Sequence, residues 1–91
     1  MSFVERTFTI VNTLGLHARA AAQLVQAANK FQDCDVQVEK DGTSVNAKSI
    51  MGVLTLAAAK GSEVKVTCEG GNAEAAMASL AKLIEAGFGE T

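Results

Sequence analysis

Ninety-one residues, 48% of them hydrophobic, make one domain able to bury roughly 60–65% of its unfolded surface without disulfides or metals. Ten Asp and Glu against eight scattered Lys and Arg give a net charge of −2, which argues against a nucleic-acid footprint or a polybasic membrane patch. Met1–Arg6 carries no signal-peptide pattern and no apolar run approaches the roughly eighteen residues of a bilayer span, so the expectation is a cytoplasmic protein with protein partners.

Arg6 to Val11 alternates Phe8 and Ile10 against Thr7 and Thr9, the pattern of a half-buried strand. Asn12 to Leu16 then forms a turn. From Ala18, apolar positions at Ala21, Leu24, Val25, Ala28 and Phe31 recur with helical spacing, leaving Gln23, Gln26 and Lys30 outside. Asp35 to Glu39 and Thr43 to Ala47 read as two strands of a hairpin, because the Asp41-Gly42 pair between them tolerates positive φ. Ser49 sits where a helix N-cap belongs, ahead of Ile50-Met51-Gly52-Val53-Leu54, and Gly52 makes that helix short or weak. Glu63 to Glu69 places Val64, Val66 and Cys68 on one face of a fourth strand, which Gly70-Gly71 breaks. Asn72 is read as the cap of a last helix whose apolar positions are Ala73, Ala76, Met77, Leu80, Leu83 and Ile84, ending near Gly87. The order β-α-β-β-α-β-α predicts an α+β open-faced sandwich, a four-stranded antiparallel sheet with three helices on one face.

The stretch Gly15-Leu16-His17-Ala18-Arg19 holds the only histidine, just before a helix start. Amides at a helix start have no partner within the helix and carry partial positive charge, so backbone groups of Ala18 and Arg19 form an anion cradle suited to a phosphate. The same field disfavours imidazolium, leaving a neutral, nucleophilic ring nitrogen near pH 7. Arg19 adds planar, forked donors suited to phosphoryl oxygens. Taken alone, one histidine in a small domain is more often a surface or capping residue. Ser49 reads equally as a plain N-cap, and Ile50 and Met51 as ordinary core. Cys34 and Cys68 form no CxxC pair and have no second histidine nearby, so no zinc or redox site is assembled and both read as reduced thiols.

Gly15-Leu16-His17-Ala18-Arg19, then Lys48-Ser49-Ile50-Met51-Gly52-Val53, then Gly70-Gly71 before a closing helix, together resemble the HPr family of phosphocarriers of the bacterial phosphoenolpyruvate-dependent sugar phosphotransferase system. The resemblance covers essentially the whole chain and implies a single phosphocarrier domain over residues 1–91. It implies a carrier, not an enzyme, that takes a phosphoryl group from enzyme I and passes it to enzyme IIA domains, with no cofactor and no metal. It matches His17 to the histidine phosphorylated on Nδ1, Arg19 to the arginine that contacts the phosphoryl group, and Ser49 to the serine phosphorylated by HPr kinase/phosphorylase in many relatives. Ala18, Ile50, Met51 and Leu54 then fall on the partner-docking surface of a monomer. The chain departs from the family twice: Ala20 stands where proline usually follows the arginine, and one extra residue falls around Gln32 to Asp35. A carrier of a regulatory, nitrogen-type phosphotransferase branch and a non-covalent interaction module are the alternatives, and the second would not need His17.

Overall fold

In the computed structural model, which describes residues 2–90, the strictest alternation of buried and exposed side chains runs along Glu63–Gly70 and Cys34–Lys40. Strands that bury nearly all of one face belong in the middle of a sheet, and these two pair with each other there. The sheet is four-stranded and antiparallel, with β1 (Ser2–Thr9), β2 (Cys34–Lys40), β3 (Thr43–Asn46) and β4 (Glu63–Gly70) in the order β1-β4-β2-β3. The helices are α1 (Ala18–Asn29), α2 (Ile50–Thr55) and α3 (Ala73–Glu85), and a 3-10 turn over Gly87–Gly89 follows. The predicted order and architecture are those observed. Among the described residues no helix is long and apolar enough to cross a membrane.

Element ends differ from the sequence expectation for backbone reasons. β1 begins at Ser2, not Arg6, because its ladder with β4 runs the whole length from Ser2 opposite Gly70 to Thr9 opposite Glu63. Most of that segment is exposed, so side-chain alternation carries no trace of it. Ile10 leaves the ladder yet stays buried: its N–H donates to the Ser62 carbonyl at 2.9 Å and its carbonyl accepts from Gly61 at 2.8 Å. β2 takes in Cys34 and Lys40, so only Gln32 and Asp33 of the span assigned to the extra residue lie in a turn. Ala47 falls just outside β3, although its N–H still reaches the Val36 carbonyl at 2.9 Å. The hairpin turn is as read, with φ of 52° at Asp41 and 84° at Gly42.

The helix faces follow the apolar spacing. Ala20, Ala21, Leu24, Val25 and Ala28 of α1 are buried, and Phe31, beyond its end, is half-buried. Ser49 caps α2 as expected, its Oγ accepting from the Gly52 N–H at 3.1 Å. Asn72 does not cap α3 with its side chain. It occupies the N-cap position in a left-handed conformation, φ 61°, and only its backbone carbonyl accepts, from Ala76 at 2.9 Å. The core joins Ile10, Leu24, Val36, Val53, Val66, Leu80 and Ile84, with both cysteines buried as free thiols. Lys48 closes the turn after α1, its ammonium donating to the carbonyls of Phe31 at 2.9 Å and Cys34 at 2.6 Å.

Candidate functional site

The turn that delivers His17 is pinned from two sides. Within it, Gly15 N–H donates to the Asn12 carbonyl at 3.1 Å, and the Asn12 side-chain amide donates to the Gly15 carbonyl at 2.8 Å. Across it, Leu16 N–H donates to the Ala58 carbonyl at 2.8 Å, tying the turn to the segment after α2. Gly15 has φ of 67° and lies so close to Ala58 and Ala59 that a Cβ there would come 2.9 Å from Ala59 Cα. Only glycine satisfies both conditions.

His17 is the N-cap residue of α1 with extended backbone, and its carbonyl accepts from Ala21 at 2.8 Å. Its side chain makes no capping hydrogen bond. The ring is therefore not spent on its own helix, and its side chain keeps 28% of its surface exposed. Ala18, Arg19 and Ala20 form the first turn, where N–H groups lack partners within the helix, and no acidic residue there cancels the positive end.

The ring is instead met from the far end of the chain. His17 Nε2 contacts the Glu90 carboxylate, 73 residues away in sequence, while the other Glu90 oxygen accepts from the Asn12 amide at 3.0 Å. Asn12 is 2% exposed, and its Oδ1 has no hydrogen-bond partner among the described residues. Both neighbours of its Nδ2 are acceptors, which fixes the amide orientation. These contacts hold the Glu90 carboxyl below the usual carboxylate range, Asn12 contributing most, then His17, against an opposing push from burial. The positive charge of Arg19 adds to the lowering.

Three left-handed residues in a row bring Glu90 there: Gly87 at φ 63°, Phe88 at 56° and Gly89 at 75°. Phe88 is buried in the core, and Gly87 is buried where an added Cβ would come 3.6 Å from the side chains of Val11 and Asn12. An aromatic ring between two glycines thus plugs the tail into the domain beside the histidine turn.

Leu14, His17, Ala18, Arg19, Gly89 and Glu90 line one open depression. Of the residues predicted from sequence, it brings together His17, Arg19 and Ala18, with Arg19 and Ala18 exposed. Ser49 does not line it and is half-buried at the start of α2. Ile50 and Met51 are surface residues, not core, at 43% and 73% exposure, whereas Leu54 is half-buried against the core. Leu14, 67% exposed, lines the depression with the ring and was not legible as such. Glu90, Phe88 and the structural role of Asn12 also escaped sequence reasoning. The one available signal was an isolated aromatic between two glycines after the last helix.

The chain matches the family model described as PTS HPr component phosphorylation site over residues 4–86. It is 46% identical over 87 residues to the phosphocarrier protein HPr of Xylella fastidiosa strain Temecula1, covering 96% of this chain and 97% of that one. Among solved structures, it resembles an HPr from Thermoanaerobacter tengcongensis with a TM-score of 0.92 and 49% identity, over 97% of this chain and 98% of the other. A structure described as an HPr dimer from the same organism matches with a TM-score of 0.77 and 49% identity, over 91% and 94% of the two chains.

Proposed function

This chain belongs to the HPr family of phosphocarriers of the phosphotransferase system, and on that premise we propose that His17 accepts a phosphoryl group from enzyme I and delivers it to enzyme IIA domains. The observation that carries the reading is the placement of His17: an N-cap residue whose ring leaves its own helix uncapped, stays part-exposed, and shares a depression with Arg19. With Nε2 engaged by Glu90, Nδ1 is the ring nitrogen left to attack phosphorus. The bond from Nδ1 to phosphorus forms as the donor's bond breaks, and the donor's leaving atom keeps its electron pair. Backbone N–H groups of Ala18 and Arg19 and the Arg19 guanidinium meet the phosphoryl oxygens.

Phosphoryl transfer rests on positioning and charge stabilisation, and this domain supplies only one side of the site. We therefore read it as a monomeric cytoplasmic carrier acted on by partner enzymes, docking them through Ala18, Ile50, Met51 and Leu54. Ser49 is the regulatory position for an HPr kinase/phosphorylase. A phosphate there suits the helix field, so its effect falls on docking and not on folding.

Incubation with phosphoenolpyruvate, Mg²⁺ and enzyme I, followed by intact mass before and after mild acid, tests the reading. One acid-labile phosphate is expected in the parent and none in His17→Ala. An unmodified parent under conditions that charge another HPr would overturn it. Arg19→Ala slows transfer while leaving the unfolding midpoint near the parent's, and equal rates would contradict the role given to Arg19.

A further inference from the structure

Resting on the carrier reading above, we infer that Glu90 is a positioning residue for phosphoryl transfer, held beside the histidine by the Phe88 plug and acting through the His17 ring. A histidine at an N-cap whose ring makes no capping bond has nothing on its own element to select its ring orientation or tautomer. Glu90 supplies both. A carboxylate is an acceptor only, so its contact with Nε2 requires the proton to sit on Nε2. The neutral ring then carries its lone pair on Nδ1.

The same contact acts during transfer. When Nδ1 bonds to phosphorus, its lone pair becomes that bond and the Nε2 proton stays, so the ring becomes an imidazolium. Glu90 is the charge that faces this cation across Nε2. Among the described residues lining the depression, Arg19 is the other charged group, a cation available to the phosphoryl oxygens.

Asn12 orients the carboxylate in turn. Its amide spans the Gly15 carbonyl at 2.8 Å and Glu90 at 3.0 Å, so the histidine turn and the tail are clamped by one buried side chain. This is the layout in which a group orienting an imidazole changes reactivity without touching the substrate. The anchor is equally specific. Phe88 is buried with a left-handed backbone, so the tail's path is set by the core and not by the carboxylate alone.

Two variants separate orientation from charge. Glu90→Gln keeps an acceptor of the same shape at Nε2 and removes the charge, whereas Glu90→Ala removes both. Imidazole nitrogen NMR of the unphosphorylated protein is expected to show one tautomer, protonated on Nε2, in the parent and in Glu90→Gln, and a mixture in Glu90→Ala. With enzyme I, kcat is expected to fall about tenfold in Glu90→Gln and further in Glu90→Ala, with KM near the parent's. Phe88→Ala, provided its amide spectrum remains dispersed, reproduces the Glu90→Ala tautomer mixture. Identical tautomer spectra in parent and Glu90→Ala would overturn the inference, as would unchanged kcat in both variants. The NMR arm needs no partner enzyme, so a parent that takes no phosphate sinks the carrier reading while the tautomer still decides the role of Glu90.

Discussion

Substituting Gly15 by alanine tests whether the histidine turn is built on backbone geometry that no side chain can share. Two costs add. An L-residue at φ 67° loses about 1–2 kcal/mol relative to glycine, partly offset by about 0.4–1 kcal/mol from the stiffer unfolded chain. The new Cβ also meets the Ala58 carbonyl and Ala59 Cα, both backbone atoms in a buried contact. Moving Ala58 strains or breaks its hydrogen bond from Leu16, worth about 0.5–1.5 kcal/mol. The net expectation is a loss of about 2 kcal/mol, read as a lower urea midpoint at unchanged slope, or a Tm drop of about 10 °C for a chain this size. Gly42→Ala is the control: its φ is 84° but nothing lies within 4 Å of the added methyl, so it carries the backbone cost alone, about 1 kcal/mol or less. Gly15→Ala losing no more than Gly42→Ala would refute the claim that the turn is wedged against Ala58.

The remaining expectations concern other parts of the chain. Ala57 is exposed with φ 49°, so Ala57→Gly should gain about 0.5 kcal/mol in urea unfolding, and a loss would show that its methyl makes contacts that outweigh the strain. Burial, then the neighbouring Cys34, pushes the Cys68 thiol up to about 11. The folded protein should therefore resist iodoacetamide at about pH 8.5, where a free thiol is half ionised, and react only after denaturation; rapid native alkylation at Cys68 would contradict its placement. Glu90 titrates below the usual carboxylate range in the folded state, so the tail contact is fully present above that range and is lost only as pH falls through the lowered value. The Asn12 side-chain amide signals report this release, and a midpoint at or above about 4.3 would be the wrong sign. Ala20→Pro restores the residue usual in the family at the third position of α1, where the N–H has no partner within the helix. Its stability should lie between the parent's and about 1 kcal/mol above it, and a loss beyond about 1 kcal/mol would mean that the ring does not fit a site where Ala20 is fully buried.

How much of this was legible depended on whether a feature repeats along the chain or is adjacent within it. Val64, Val66 and Cys68 announce β4 and Ala76, Met77, Leu80 and Ile84 announce α3, because burial on one face writes a period into the sequence. Ser2 to Glu5 belong to β1 through backbone pairing with β4, which asks nothing of exposed side chains, so the true start of the strand left no mark. His17, Ala18 and Arg19 were found together because they are neighbours in sequence and share one helix end. Asn72 misled for the opposite reason: its residue type suits a side-chain cap, but the left-handed backbone it adopts after Gly70 and Gly71 leaves that side chain without a capping bond.

The half of the site that stayed hidden follows from the same physics. A helix N-cap can present a ring and a cradle of amides locally, but it cannot hold the ring's orientation, because an N-cap side chain that does not bond its own helix has no local partner left. That partner must come from another element, and here it arrives through a non-periodic tail of glycine, buried phenylalanine and glycine, at a sequence distance of 73 residues. Local motif and distant strap are joined by Asn12, whose amide bonds both and whose burial makes neither bond dispensable. A change at Asn12 should therefore act on the turn and on the tail at once, because its one amide group holds the Gly15 carbonyl and the Glu90 carboxylate together.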